Sequence, residues 1–114
     1  MNRITALKIN TEDEFLKLLS NNRAVLFYFS TMSCAVGESL EPKVKKLVAE
    51  KYQKIIFCSI DMNTSPALCA SHQVFVEPTI LLFIDGKEFI RLSRNIGLVP
   101  LEKSISRIYQ LAFE

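Results

Sequence analysis

Apolar positions along this 114-residue chain follow two rhythms, and the switches between them mark the elements. "ITALKI" (Ile4 to Ile9) can be a first strand. "TEDEFLKLLS" then opens with Thr11 as a helix N-cap and Glu14 three residues on, a capping box. Phe15, Leu18 and Leu19 give that helix an apolar stripe. "AVLFYFS" (Ala24 to Ser30) is continuously apolar and aromatic, as a strand covered on both faces must be. From about Cys34 to Tyr52 the apolar positions are Leu40, Val44, Leu47 and Val48, a helical spacing that Pro42 should kink. "KIIFCSID" (Lys54 to Asp61) is another buried strand.

"SPALCAS" places Ser65 as a cap and Pro66 at the first position of a short helix. "TILLFI", Asp85-Gly86 and "KEFIRLS" form a hairpin, because Asp-Gly supplies the positive φ angles of a tight turn. Leu101, Ile105, Ile108 and Leu111 mark a last amphipathic helix begun by Pro100. The order is β-α-β-α-β-α-β-β-α. Strands alternating with helices pair in parallel through right-handed crossovers, and the final hairpin adds antiparallel strands. The expectation is an α/β fold: a mixed sheet of three parallel strands plus a hairpin, with helices on both faces, in a single domain over residues 1–114.

Composition narrows the classes. Apolar residues make up 49% and charged ones 23%, with a net charge of +2, a globular balance too nearly neutral for nucleic acid or an anionic membrane. No apolar run approaches the roughly 20 residues of a membrane span, and the N-terminus has no apolar core of a signal peptide. Three widely spaced cysteines do not make a disulfide framework, so the expected location is the cytoplasm. No Cys/His cluster has zinc spacing, and no glycine-rich phosphate loop occurs. No cofactor is expected.

Three motifs resemble the thioredoxin family, in order and at its spacing. An apolar strand ends at Phe29, Cys34 follows, and Pro42 stands eight residues further on. "SIDMN" resembles the family's "NID.N". "VEPTILLFIDGKE" resembles its cis-proline signature "PT...F..G", with Pro78 as the cis-proline and Thr79 as its partner. The resemblance implies the thioredoxin fold and places Cys34 as the nucleophile of thiol–disulfide exchange. It also implies a client groove rimmed by Ser33, Glu77, Pro78, Thr79 and Arg94.

The departures from the family are concentrated at the same place. Cys34-Ala35-Val36-Gly37 replaces Cys-x-x-Cys, so the second, resolving cysteine is missing. The family's buried aspartate falls on Tyr28, its lysine partner on Phe57, the tryptophan before the cysteine on Ser33. Glu77 stands where an apolar residue precedes the cis-proline, and Arg94 where a glycine faces it. A buried ion pair is costly without a task, and Tyr28 with Phe57 would restore a dry core. One cysteine can still attack a disulfide, but an external thiol must release the product. The expected function is monothiol exchange in cell redox homeostasis, with a client protein or a low-molecular-weight thiol as partner and glutathione as a candidate co-substrate. The alternative is a redox-inactive module that binds a protein partner in the cis-proline groove. A monomer or weak dimer suffices for either. Cys58, alternating with Ile56 and Ile60, and Cys69 are expected to be packing residues, and His72 a helix cap or solvent-facing residue.

Overall fold

The computed structural model describes residues 7–31 and 35–114. Nine elements follow one another: β1 (Leu7–Lys8), α1 (Glu12–Asn21), β2 (Ala24–Ser30), α2 (Ala35–Lys51), β3 (Ile55–Asp61), α3 (Pro66–Ser71), β4 (Thr79–Ile84), β5 (Lys87–Ser93) and α4 (Leu98–Phe113). They form one five-stranded sheet in the order β1-β3-β2-β4-β5. β1, β3 and β2 are parallel; β4 runs antiparallel to β2, and β5 to β4. This is the expected mixed sheet. Only Leu7 and Lys8 of the expected first strand pair with β3; Ile4 to Ala6 lie outside the described residues.

Side-chain alternation on the strands sorts the core into two layers. Leu26, Tyr28, Phe57, Ile80 and Leu82 face α2 and α4, meeting Val44, Val48, Leu101 and Ile105. Val25, Phe27, Phe29, Ile60 and Leu81 face α1 and α3, meeting Phe15, Leu68 and Cys69. β2 lies at the centre of the sheet and is apolar throughout because both of its faces are covered. On the second face Phe15 stacks on Phe27 at 4.0 Å, with Phe83 edge-on to both.

Element ends follow local chemistry. The α1 capping box forms as read: Glu14 N–H donates to Thr11 Oγ1 at 3.2 Å, and Thr11 N–H donates to Glu14 Oε1 at 3.2 Å. Asp85 (φ 51°) and Gly86 (φ 81°) make the hairpin turn, and Arg23 grips Asp85 with two hydrogen bonds of 2.9 and 3.2 Å. Ser65 occupies the α3 N-cap position, yet its buried hydroxyl makes no cap bond and has no hydrogen-bond partner. α4 begins at Leu98, two residues before Pro100; a proline in the first turn removes no helical hydrogen bond, so it does not have to come first. His72 is the α3 C-cap residue, as expected, but its side chain is half-buried rather than solvent-facing. Its ring stacks on Phe15 at 4.0 Å, and Nε2 lies 2.9 Å from Glu12 Oε1, joining α3 to α1.

Candidate functional site

The candidate site lies where β2 and β4 end side by side. Their register closes with Phe29 opposite Thr79, and Thr79 also pairs with Ser93 of β5. Beyond Thr79 the ladder cannot continue in the ordinary way, because Pro78 has no N–H. The Glu77–Pro78 peptide is cis. Pro78 itself is buried, and its carbonyl accepts a hydrogen bond from Arg94 N–H at 2.9 Å. Arg94 has φ 64°, a left-handed conformation that glycine adopts without strain and an arginine does not. Its side chain is exposed.

Thr79 is 1% exposed. Its hydroxyl donates to the Val76 carbonyl at 2.7 Å and lies 3.1 Å from Ser93 Oγ. At this position the side chain holds the Val76–Pro78 turn, leaving only its backbone to meet a ligand. Glu77 is tied down as well. One carboxylate oxygen accepts from Thr31 N–H at 2.9 Å, and the Thr31 hydroxyl lies 2.9 and 3.1 Å from the two oxygens. Glu77, Pro78, Thr79 and Arg94 are therefore brought together. Ser33 and Cys34 lie outside the described residues.

Three further features bear on the site. Tyr28 is fully buried and stacks on Phe57 with ring centroids 6.2 Å apart, so two aromatic rings fill the middle of the sheet below the site. Glu41 lies on the sheet side of α2, where Ser59 Oγ donates to its Oε2 at 2.6 Å and Ser30 Oγ to its Oε1 at 3.3 Å. This carboxylate lines a cleft of about 220 Å³ at the carboxyl ends of β1, β3 and β2, together with Lys8, Asn10 and Asp61. Arg91 reaches from β5 to the end of α3, donating to the carbonyls of His72 (2.8 Å) and Gln73 (3.3 Å) while paired with Glu88. It thereby fixes the start of the loop that leads to Pro78.

Thr31, Glu41 and Arg91 were not singled out from the sequence. Glu41 had a signal: it is a charged residue on the stripe of Val44 and Val48. Thr31 had none, because its bond to Glu77, forty-six residues away, depends on the β2–β4 register. Arg91 had none, because its partners are backbone carbonyls eighteen and nineteen residues away.

The other two thiols are packing residues. Cys58 is fully buried, and burial pushes its thiol up to about 12, with a smaller contribution from the Glu14 charge. Cys69 is 6% exposed; burial and then the nearby Asp61 carboxylate raise it too. Among the described residues no group of three or more His, Cys, Asp or Glu side chains converges to hold a metal, and no helix is long and apolar enough to cross a membrane.

The thioredoxin family model matches residues 6–107. The chain belongs to the thioredoxin family. It is similar to the thioredoxin-like protein YdfQ of Bacillus subtilis, 28% identical over 93 residues that cover 82% of each chain. It is also similar to thioredoxin of Mycobacterium bovis, 24% identical over 102 residues, covering 90% of this chain and 88% of that one. Among solved structures, Fasciola hepatica thioredoxin superposes with a TM-score of 0.81 at 25% identity, covering 89% of this chain and 97% of its own.

Proposed function

We propose that this thioredoxin-like protein is a monothiol exchanger with Cys34 as nucleophile. The Cys34 thiolate attacks one sulfur of a client disulfide. A new S–S bond joins Cys34 to that sulfur, the old S–S bond breaks, and the departing thiolate takes a proton from water. Gly37 offers no second thiol, so an external thiolate must attack the mixed disulfide and return Cys34 to its reduced form. No cofactor enters; the electrons come from that external thiol. The scheme suits a reducing, thiol-rich compartment such as the cytoplasm, with glutathione or a protein thiol as the resolving partner.

The reading is supported by one observation above the rest. Thr31, three residues before Cys34 in the chain, is bonded to Glu77, the residue before Pro78. The segment leading to the cysteine thus starts from the turn that bears the cis-proline. A cysteine just ahead of α2 would also receive the free N–H groups of a helix N-terminus, which stabilise a thiolate. In this reading Ser33, the Glu77–Thr79 backbone and the exposed Arg94 guanidinium would serve as the client rim. Arg94 is suited to a carboxylate, of which glutathione carries two.

Incubation with oxidised glutathione followed by intact-mass measurement tests the reading. The expected product is one glutathione per chain, on Cys34, removed by added thiol and absent from Cys34→Ser. A parent left unmodified, yet still retaining a protein partner in the groove, would replace the exchanger with a non-catalytic binding module.

A further inference from the structure

We infer that Glu77 is a positioning residue: a clasp that carries the β2–β4 pairing past Pro78 and fixes the chain that runs on to Cys34. The inference deepens the exchange reading above and rests on it. The β2–β4 register ends with Phe29 opposite Thr79. Continued by two residues, it would set Thr31 opposite Glu77. There Thr31 N–H needs an acceptor, since β3 pairs with β2 only as far as Ser30. The Glu77 side chain supplies it: the carboxylate takes Thr31 N–H at 2.9 Å and the Thr31 hydroxyl at 2.9 and 3.1 Å. An apolar side chain at this position could accept neither bond. Hydrogen bonds to a charged acceptor are about twice as strong as neutral ones, and this contact is half-buried.

The opposite side of the turn is braced independently. Arg94 N–H holds the Pro78 carbonyl, and the Thr79 hydroxyl holds the Val76 carbonyl. The Val76–Thr79 turn is thus the fixed member, and Thr31 is what Glu77 adds to it. In this role Glu77 sets where Cys34 stands relative to the groove, so it governs reaction with clients that must touch both. A small alkylating reagent needs only the thiol and is indifferent to the clasp.

Glu77→Leu, Glu77→Gln, Thr31→Val and Thr31→Ser test this in the full chain. Amide hydrogen exchange at Thr31 should be about tenfold faster in Glu77→Leu, the factor expected for one lost hydrogen bond to a charged group. Glu77→Gln keeps an amide oxygen as acceptor and should stay closer to the parent. The second readout is the Cys34 rate with a disulfide peptide divided by its rate with iodoacetamide, each taken at its high-pH limit to remove differences in thiol acidity. That ratio should fall severalfold in Glu77→Leu and Thr31→Val and recover in Thr31→Ser. Equal behaviour of the Gln and Leu variants, or unchanged Thr31 exchange in Glu77→Leu, would overturn the clasp and leave Glu77 as a charge on the rim. A parent that reacts with no disulfide, while exchange still separates Leu from Gln, would overturn the exchange reading instead and leave a loop brace without a catalytic role.

Discussion

Cys58 and Cys69 show how burial alone separates a reagent from a packing residue. Both side chains sit against the α1 and α3 face, and for both, loss of solvent favours the neutral thiol. With the Cys58 thiol at about 12, its thiolate is scarce at any pH the fold tolerates. Native protein at pH 7 should therefore take one iodoacetamide, on Cys34, and urea-unfolded protein three; native labelling of Cys58 or Cys69 would contradict the packing seen here. Arg94 makes a second single-residue test. Its φ of 64° costs an L-residue about 1 kcal/mol or more, which glycine avoids. Arg94→Gly should raise the unfolding free energy read from urea titrations, by up to ~1 kcal/mol after glycine's greater unfolded-state entropy is set against it. The same change should slow reaction with oxidised glutathione about threefold, the worth of one exposed charge contact. A gain in stability with no loss of rate would separate Arg94 from client binding. At this scale the sequence was readable where chemistry is local to one residue, as with the two apolar cysteines. It was unreadable for Glu77, whose partner Thr31 is set by strand register and lies forty-six residues away.

Elements were legible where their signals are local and redundant. The Thr11–Glu14 box joins residues three apart, and the Asp85-Gly86 turn is forced by its φ angles. Ser65 fails as a cap because the fold buries its hydroxyl away from the α3 amides, which spacing cannot reveal. His72 is likewise drawn inward by the Phe15 ring. Two carboxylates at element ends carry a pH dependence. Glu14 is held below its usual range, first by Asn10 N–H and then by the Thr11 hydroxyl; Asp85 is held down by its hydrogen bond to Arg23. A carboxylate lowered in the folded state adds stability above its unfolded pKa, and that stability is lost as pH falls through the folded value. Stability should thus decline below about pH 4, the ordinary carboxylate range. Asp85→Asn should make that decline shallower in urea titrations at pH 7, 4 and 3, and an identical decline would remove Asp85 from the account. Thr11→Ala should cost about 1 kcal/mol at pH 7, the usual value of an N-cap, read from the same titrations.

For the whole molecule, the parallel pairing of the first three strands and the antiparallel hairpin could be read in advance, because strands alternating with helices favour right-handed parallel crossovers, whereas the spatial order β1-β3-β2-β4-β5 comes from the structure. Family membership was legible for a related reason: Phe29, Pro42, "SIDMN" and "VEPTILLFIDGKE" are spread across the chain at fixed spacing. What the fold then adds is a fully buried Tyr28 stacked on Phe57, two aromatic rings in the core beside the strand ends that carry the candidate site. The central claim is that a client bound to Cys34 leaves only with outside help. The most direct measurement is the lifetime of a purified mixed disulfide between Cys34 and a reporter peptide, followed by fluorescence with and without added glutathione, beside Gly37→Cys. The account predicts a parent complex that persists until thiol is added and then decays in proportion to its concentration, while Gly37→Cys releases the peptide without any. Release from the parent at a rate independent of added thiol would contradict it.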